Sequence, residues 1–187
     1  FNASMLFFST DSKKYLNYAK KNMHLKNDYL RPNSLAKDNS LIIDSIFHAV
    51  KWLRNKKLYF DTVIVLQPTS PIRIFDEVKD AIQKFKKNNY TSMASVTKMR
   101  EHPFECIKKE KKRKWNFLER PKKIATRRQQ YQNSKSDYFF IDGSFYITNL
   151  EYLKKNKNFV IERKTELFVL KGKRAPDIDD IYDFKFA

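Results

Sequence analysis

Apolar positions along the chain change period several times, and each change marks an element. Met5 to Phe8 form a short apolar run that stops at Ser9-Thr10-Asp11-Ser12, which predicts a buried strand followed by a helix capped by Asp11 or Ser12. Tyr15, Tyr18, Ala19 and Met23 then recur at helical spacing and predict one apolar face. Behind the cluster Asp38-Asn39-Ser40, which offers another cap, Ile42, Ile43, Ile46, Phe47, Val50 and Leu53 give the clearest amphipathic stripe in the chain. Thr62 to Leu66 is a strand, and Phe75, Val78, Ala81, Ile82 and Phe85 return to the helical period. Thr91 to Thr97 is the next strand. Alternation of this kind predicts parallel βαβ units.

The pattern breaks at Lys108-Lys109-Glu110-Lys111-Lys112-Arg113-Lys114 and stays polar to Asp137, with no periodic core face. Such a stretch is either a solvated loop or an inserted arm that contacts a partner subunit or an anionic substrate. Phe139 to Ile147 resumes an apolar strand, with Asp142-Gly143 as a bend or bulge. Leu150 and Leu153 predict a short helix, Leu167 to Leu170 a last strand, and Asp179-Asp180 the cap of a terminal helix. No repeat or linker divides the molecule, so residues 1–187 read as one domain with an arm at about 108–137.

Composition narrows the classes. With 187 residues, 41% of them hydrophobic and 15% aromatic, the chain has the material for a core. Its 39 Lys and Arg against 21 Asp and Glu give a net charge of +18, which invites polyanions. Lysine dominates and travels with Asn, Phe, Tyr and Ile, a usage that AT-rich coding sequence produces without selection for binding, so charge alone does not make nucleic acid the expected partner. A basic nucleic-acid-binding module using the Lys108 to Lys114 run with Trp115 and Tyr131 stays open as the alternative class. Cys106 is the single cysteine, which excludes an intrachain disulfide and fits a reducing, cytoplasmic compartment. No run approaches the ~20 apolar residues of a membrane span. Two glycines, Gly143 and Gly172, exclude the GxxxxGK[ST] and GxGxxG phosphate loops. His24, His48 and His102 lack the spacing of a zinc site.

Candidate chemistry gathers in two places. Thr62-Val63-Ile64-Val65 runs into Leu66-Gln67-Pro68-Thr69-Ser70-Pro71-Ile72-Arg73, where two prolines keep the strand from entering a helix at once and hold its last side chains at the carboxyl end, the usual ligand edge of an open α/β sheet. Gln67, Thr69 and Ser70 are turn residues that also offer amide and hydroxyl groups for a base edge, a sugar hydroxyl or a phosphate oxygen. Arg73 reads as a surface charge at a helix start ahead of an anion ligand. Far downstream, Asp177-Ile178-Asp179 would project both carboxylates to one side of an extended segment, where they could share a hard cation such as Mg²⁺; the same residues also serve as ordinary helix caps. Asp180 and Asp183 read as helix-start and surface charges.

LQPTSPIR and the late DID resemble the acylneuraminate cytidylyltransferases, the CMP-sialic acid synthetases. Leu30-Arg31-Pro32 with Leu35-Ala36-Lys37-Asp38 looks like that family's LRP-x-x-LA-x-D segment, Arg128-Gln129 resembles its arginine-glutamine pair, and Asp142-Gly143-Ser144-Phe145-Tyr146 looks like its NG-x-x-Y strand. The resemblance runs from Ser9-Thr10-Asp11 to Asp179. It implies an α/β, Rossmann-like nucleotidyltransferase fold with a mostly parallel sheet and an inserted dimerisation arm, hence a homodimer. It implies that CTP and a nonulosonic acid give a CMP-sugar and pyrophosphate, with Gln67, Asp177 and Asp179 catalytic and Mg²⁺ on Asp177 and Asp179. Arg31 would meet the nucleotide, Gln67, Thr69 and Ser70 would orient nucleotide and sugar, and Arg128 would meet the sugar carboxylate through paired N–H donors. Tyr146 lies in the matching strand, and Phe159 would line an acyl pocket, core packing being its other reading. The family's ARxGSKxxxxKN-type loop has no counterpart here, so the resemblance also implies a domain lacking roughly forty residues at the front, and an inactive truncated subunit is a third reading. Phe140-Ile141-Asp142-Gly143 stands where sialic acid enzymes often carry Arg-Pro-Asn-Gly, which leaves legionaminic, pseudaminic and other nonulosonic acids open as substrate.

Overall fold

The computed structural model describes residues 5–23, 25, 27–99, 101–110, 115–119, 138–171 and 177–186. Five helices, α1 (Lys13–Met23), α2 (Ile42–Asn55), α3 (Phe75–Lys87), α4 (Leu150–Asn156) and α5 (Ile181–Phe186), are described together with six strands. These are β1 (Thr62–Val65), β2 (Ser92–Lys98), β3 (Ile107–Lys109), β4 (Trp115–Phe117), β5 (Phe139–Asn149) and β6 (Glu166–Val169). Four strands form one sheet in the order β1-β5-β2-β6, and β3 pairs with β4 in a separate hairpin.

The sheet is mixed, which corrects the mostly parallel sheet read from the sequence. β5 pairs antiparallel with both β1 and β2, and only β2 with β6 is parallel. The strand directions explain the error. β1 and β2, joined through α3, do run the same way, as a βαβ unit requires, but β5 inserts between them in the opposite sense and takes the hydrogen bonds that a direct parallel pair would have made. The fold is α/β in the sense that helices cover a mixed sheet.

The core forms where α3 lies on that sheet. Val78, Ala81 and Phe85 recur at helical spacing and pack on Met93, Phe145 and Ile147. Six consecutive residues of β2, Ser92 to Thr97, are buried, as expected for a strand with neighbours on both edges and cover on both faces. A second cluster holds Tyr29, 1% exposed, against Phe7 and Trp52, with the Tyr29 hydroxyl 2.9 Å from His48 Nδ1. Among the described residues no helix is long and apolar enough to cross a membrane.

Three further expectations change. Met5 to Phe8 is not a strand: Phe8 instead exchanges two hydrogen bonds with the side chain of Asn27, whose amide substitutes for a neighbouring backbone. In α1 the buried side is Leu16 and Ala19, while Tyr15, Tyr18 and Met23 lie exposed. The Asp38-Asn39-Ser40 cluster does not cap α2; Leu41 holds the cap position, and the Ser40 hydroxyl instead accepts from the Lys37 amide. At the other end the expectation holds. Asp180 accepts from the amides of Tyr182 and Asp183, and Asp183 accepts in return from the amides of Asp179 and Asp180, a reciprocal cap.

A composite site at the end of the first strand

The site begins with a register fault. Between the pairs Ala94↔Tyr146 and Val96↔Ile141, β2 advances by the single residue Ser95 while β5 spends Asp142, Gly143, Ser144 and Phe145. This is the bend foreseen at Asp142-Gly143, and it is stabilised from within. The Ser95 hydroxyl donates to Asp142 Oδ1 at 2.5 Å and accepts from the Phe145 amide at 3.0 Å, while the Ser144 amide donates to the same carboxylate oxygen at 3.0 Å. A buried carboxylate is tolerable only with such partners, each bond to the charged group being worth ~1.5–3 kcal/mol. Asp142 is 7% exposed and Ser95 fully buried.

Because β1 pairs with β5 up to Val65↔Tyr146, the bulge lies just beyond the end of β1, where the QPTS loop turns. The Ser70 amide closes that turn on the Gln67 carbonyl at 3.2 Å. Gly143 sits at φ +73°, a conformation that other residues rarely adopt, and a Cβ there would stand 2.9 Å from Gln67 Oε1, 3.7 Å from Ser70 Oγ and 3.9 Å from Asp177 Oδ2. The Ser70 hydroxyl donates to Asp177 Oδ1 at 3.2 Å, and the Ile178 amide donates to the Thr69 carbonyl at 2.7 Å. Segments 107 residues apart in sequence therefore meet side by side.

The sequence candidates divide accordingly. Gln67, Ser70 and Asp177 come together at Gly143, and Thr69 joins them through its carbonyl, bonded by the Ile178 amide; Asp179 follows in the same segment and is exposed. Tyr146 borders the group, its hydroxyl pushed above its usual range first by burial and then by the Asp142 and Asp177 carboxylates. The Phe159 ring packs on Tyr146 at a centroid distance of 5.0 Å. Arg31 belongs to another contact: its guanidinium meets Asp11 at 3.3 Å and its amide donates to the Thr10 carbonyl, with no hydrogen bond or ion pair to the QPTS loop among the described residues. Arg128 lies outside the described residues. Among the described residues no group of three or more His, Cys, Asp or Glu is arranged to hold a metal ion. Asp177 is the carboxylate placed at the junction, and a carboxylate oxygen is a ligand type that Mg²⁺ accepts alongside waters and substrate phosphates.

Sequence reading missed the polar frame of the site. Ser95 lies between Ala94 and Val96 in a strand that also buries Ser92 and Thr97, and a buried hydroxyl usually finds a partner, but the sequence does not single Ser95 out from those two. Arg73 is half-buried and bonded to backbone on two sides, against its reading as a surface charge. Nothing in its local spacing shows this, because one of those partners lies in β5.

No protein-family model matches the chain. Comparison with curated proteins finds relatives at modest identity over most of its length. It is similar to CMP-N,N'-diacetyllegionaminic acid synthase of Legionella pneumophila, 27% identical over 176 residues, covering 94% of this chain and 73% of that protein. It is also similar to pseudaminic acid cytidylyltransferase of Campylobacter jejuni, 24% identical over 96% of this chain and 74% of the relative, and to post-translational flagellin modification protein B of Campylobacter coli at 25%. The chain is thus a homologue of CMP-nonulosonic acid synthases and cytidylyltransferases, in line with the resemblance read from LQPTSPIR and DID.

Gly143→Ala tests the geometry. A Cβ there is strained at φ +73° and displaces the end of the Gln67 side chain, so the substitution is expected to lower unfolding stability by ~1–3 kcal/mol in a denaturant titration, chiefly through the backbone. An unchanged midpoint would contradict the left-handed conformation of Gly143.

Proposed function

We propose that this chain is a cytidylyltransferase that activates a nonulosonic acid with CTP, giving the CMP-sugar and pyrophosphate, on a Rossmann-like nucleotidyltransferase scaffold in a reducing, cytoplasmic compartment. The observation that carries the reading is the junction of Ser70 with Asp177 beside Gly143, which joins the two motifs most specific to the likeness at the sheet end favoured by ligands. The names of the relatives supply the substrate class.

In this reading the anomeric hydroxyl of the sugar attacks the α-phosphorus of CTP in line and pyrophosphate leaves. Such a reaction depends mostly on positioning and on neutralising charge. Gln67 offers an uncharged amide, held against Gly143, that orients nucleotide and sugar; Thr69 and Ser70 fix the turn that presents it. Tyr146 and Phe159 give the sugar an aromatic wall, and Arg31 and Arg128 supply the cations for nucleotide and sugar carboxylate. A triphosphate brought beside Asp177 and Asp179 would meet like charge. Mg²⁺ shared by these carboxylates and the phosphates would remove that repulsion. Asp142 is committed to Ser95 and Ser144 and shapes the bulge rather than the chemistry.

We further propose a homodimer formed through the hairpin of β3 and β4. Ile107 pairs with Phe117 and Lys109 with Trp115, so these side chains share one face, on which Ile107, Trp115 and Phe117 are exposed. A two-stranded ribbon with an uncovered apolar face is marginal alone in water, and a second copy would cover it.

Two measurements follow. Pyrophosphate release from CTP, Mg²⁺ and a panel of nonulosonic acids is expected from the wild type and should fall ~10²-fold or more in Asp177→Asn, which keeps a side-chain oxygen to accept from Ser70. No release by the wild-type chain with any such acid, or full activity in the variant, would refute the assignment. In sedimentation the wild type is expected to run as a dimer and Trp115→Asp/Phe117→Asp as a monomer; a monomeric wild type would refute the interface.

A further inference from the structure

Arg73 occupies a place that the proposed chemistry leaves unexplained. It follows the QPTS loop, just ahead of α3, and its side chain turns back into the sheet instead of outward. Nε donates to the Ser144 carbonyl in the β5 bulge at 2.7 Å, and a terminal guanidinium nitrogen donates to the Gln67 carbonyl. Desolvation disfavours its charge, and the nearby carboxylates Asp142 and Asp177 offset part of that cost. One planar cation thus bridges the loop after β1 and the excursion in β5, next to the segment that carries Asp177.

We propose that Arg73 is the positioning residue of this site, a latch that holds the QPTS loop, the β5 bulge and the Asp177 segment in one fixed arrangement. Its fork is suited to the task. Two N–H groups at a set angle can satisfy two carbonyls from different elements at once, which a lysine ammonium on a flexible stem does with far less directional control. The acceptors are significant too. The Gln67 carbonyl also receives the Ser70 amide, so the guanidinium braces the turn from which Ser70 reaches Asp177, and the next carbonyl but one, that of Thr69, receives Ile178. Ser144 is the residue after Gly143, to which Gln67 Oε1 comes close. Releasing Arg73 would free both sides of the contact between Gln67 and Gly143 together. It touches no atom required to react, so its influence passes through Gln67, Ser70 and Asp177; what these groups do once positioned rests on the proposed transfer reaction, whereas the latch itself does not.

The test reads the latch and the chemistry separately. Amide hydrogen exchange is followed at Ser70 and Ile178, whose amides bond within the latched unit, with the Asn149 amide, bonded to the Thr91 carbonyl, as an internal reference in the same sheet. In Arg73→Met, exchange at Ser70 and Ile178 is expected to accelerate by roughly tenfold or more relative to Asn149, because two hydrogen bonds from a charged donor are lost. Arg73→Lys, which keeps the charge, is expected to fall between Met and wild type and gives the same reading should the Met variant not fold. Pyrophosphate release, measured below the melting transition of each variant, should show kcat lower by about 10²-fold with KM for CTP changed far less, the pattern of a displaced rather than a missing group. Unchanged relative exchange at both amides in a folded variant would overturn the latch, and so would kcat equal to the wild type. Accelerated exchange in a protein whose wild type is inert toward CTP and every acid offered would uphold the latch and defeat the proposed reaction instead.

Discussion

The hydroxyl of Ser95 against the carboxylate of Asp142 is the interaction on which the rest of the site depends. It lets β5 leave its register with β2 for four residues without exposing an unpaired charge in the core. Without that excursion Gly143 would stay in the ladder, and Gln67, Ser70 and Asp177 would lose the residue that they approach. The bulge thus turns an ordinary strand end into a place where the Gln67 amide, the Ser70 hydroxyl and the Asp177 carboxylate converge. Bulges re-aim backbone in this way beside functional sites in many sheets.

Electrostatics at this spot run against the chain as a whole. The protein carries a net charge of +18, yet among the described residues the carboxylates acting on the junction are Asp142 and Asp177, and Arg73 is the cation bonded there. The guanidinium spends its donors on backbone carbonyls, which leaves it a structural role. A polyanionic ligand would be drawn by the general field and then require a local countercharge at the carboxylates. This combination favours a nucleotide with a divalent ion over nucleic acid tracking a basic surface, which would engage lysines and aromatic faces.

Much of the fold was legible in the sequence, for reasons that the residues make plain. Val78, Ala81 and Phe85 keep a strict helical period because they share one packing face, and Asp180 caps its helix through purely local bonds, so short windows sufficed. Strand direction was not local. β1, α3 and β2 read correctly as a unit, but the insertion of β5 depends on a partner about fifty residues away, and periodicity carries no such information. The same limit applies to the site. Gln67, Ser70 and Asp177 could be picked out by motif, whereas the roles of Ser95 and Arg73 appear only once β5 is in place. Tyr15 and Tyr18 show the converse, an apolar stripe that proved to be the exposed side of its helix.

The account stands or falls on whether nucleotide binds at the bulge. Adding CTP with Mg²⁺ to isotopically labelled protein and following backbone amide shifts decides this directly. The account predicts the largest changes at Ser70, Gly143, Ser144 and Ile178, with little at Ile107 to Lys109. Saturable shifts confined to the lysine-rich hairpin, with the bulge amides unmoved, would contradict it.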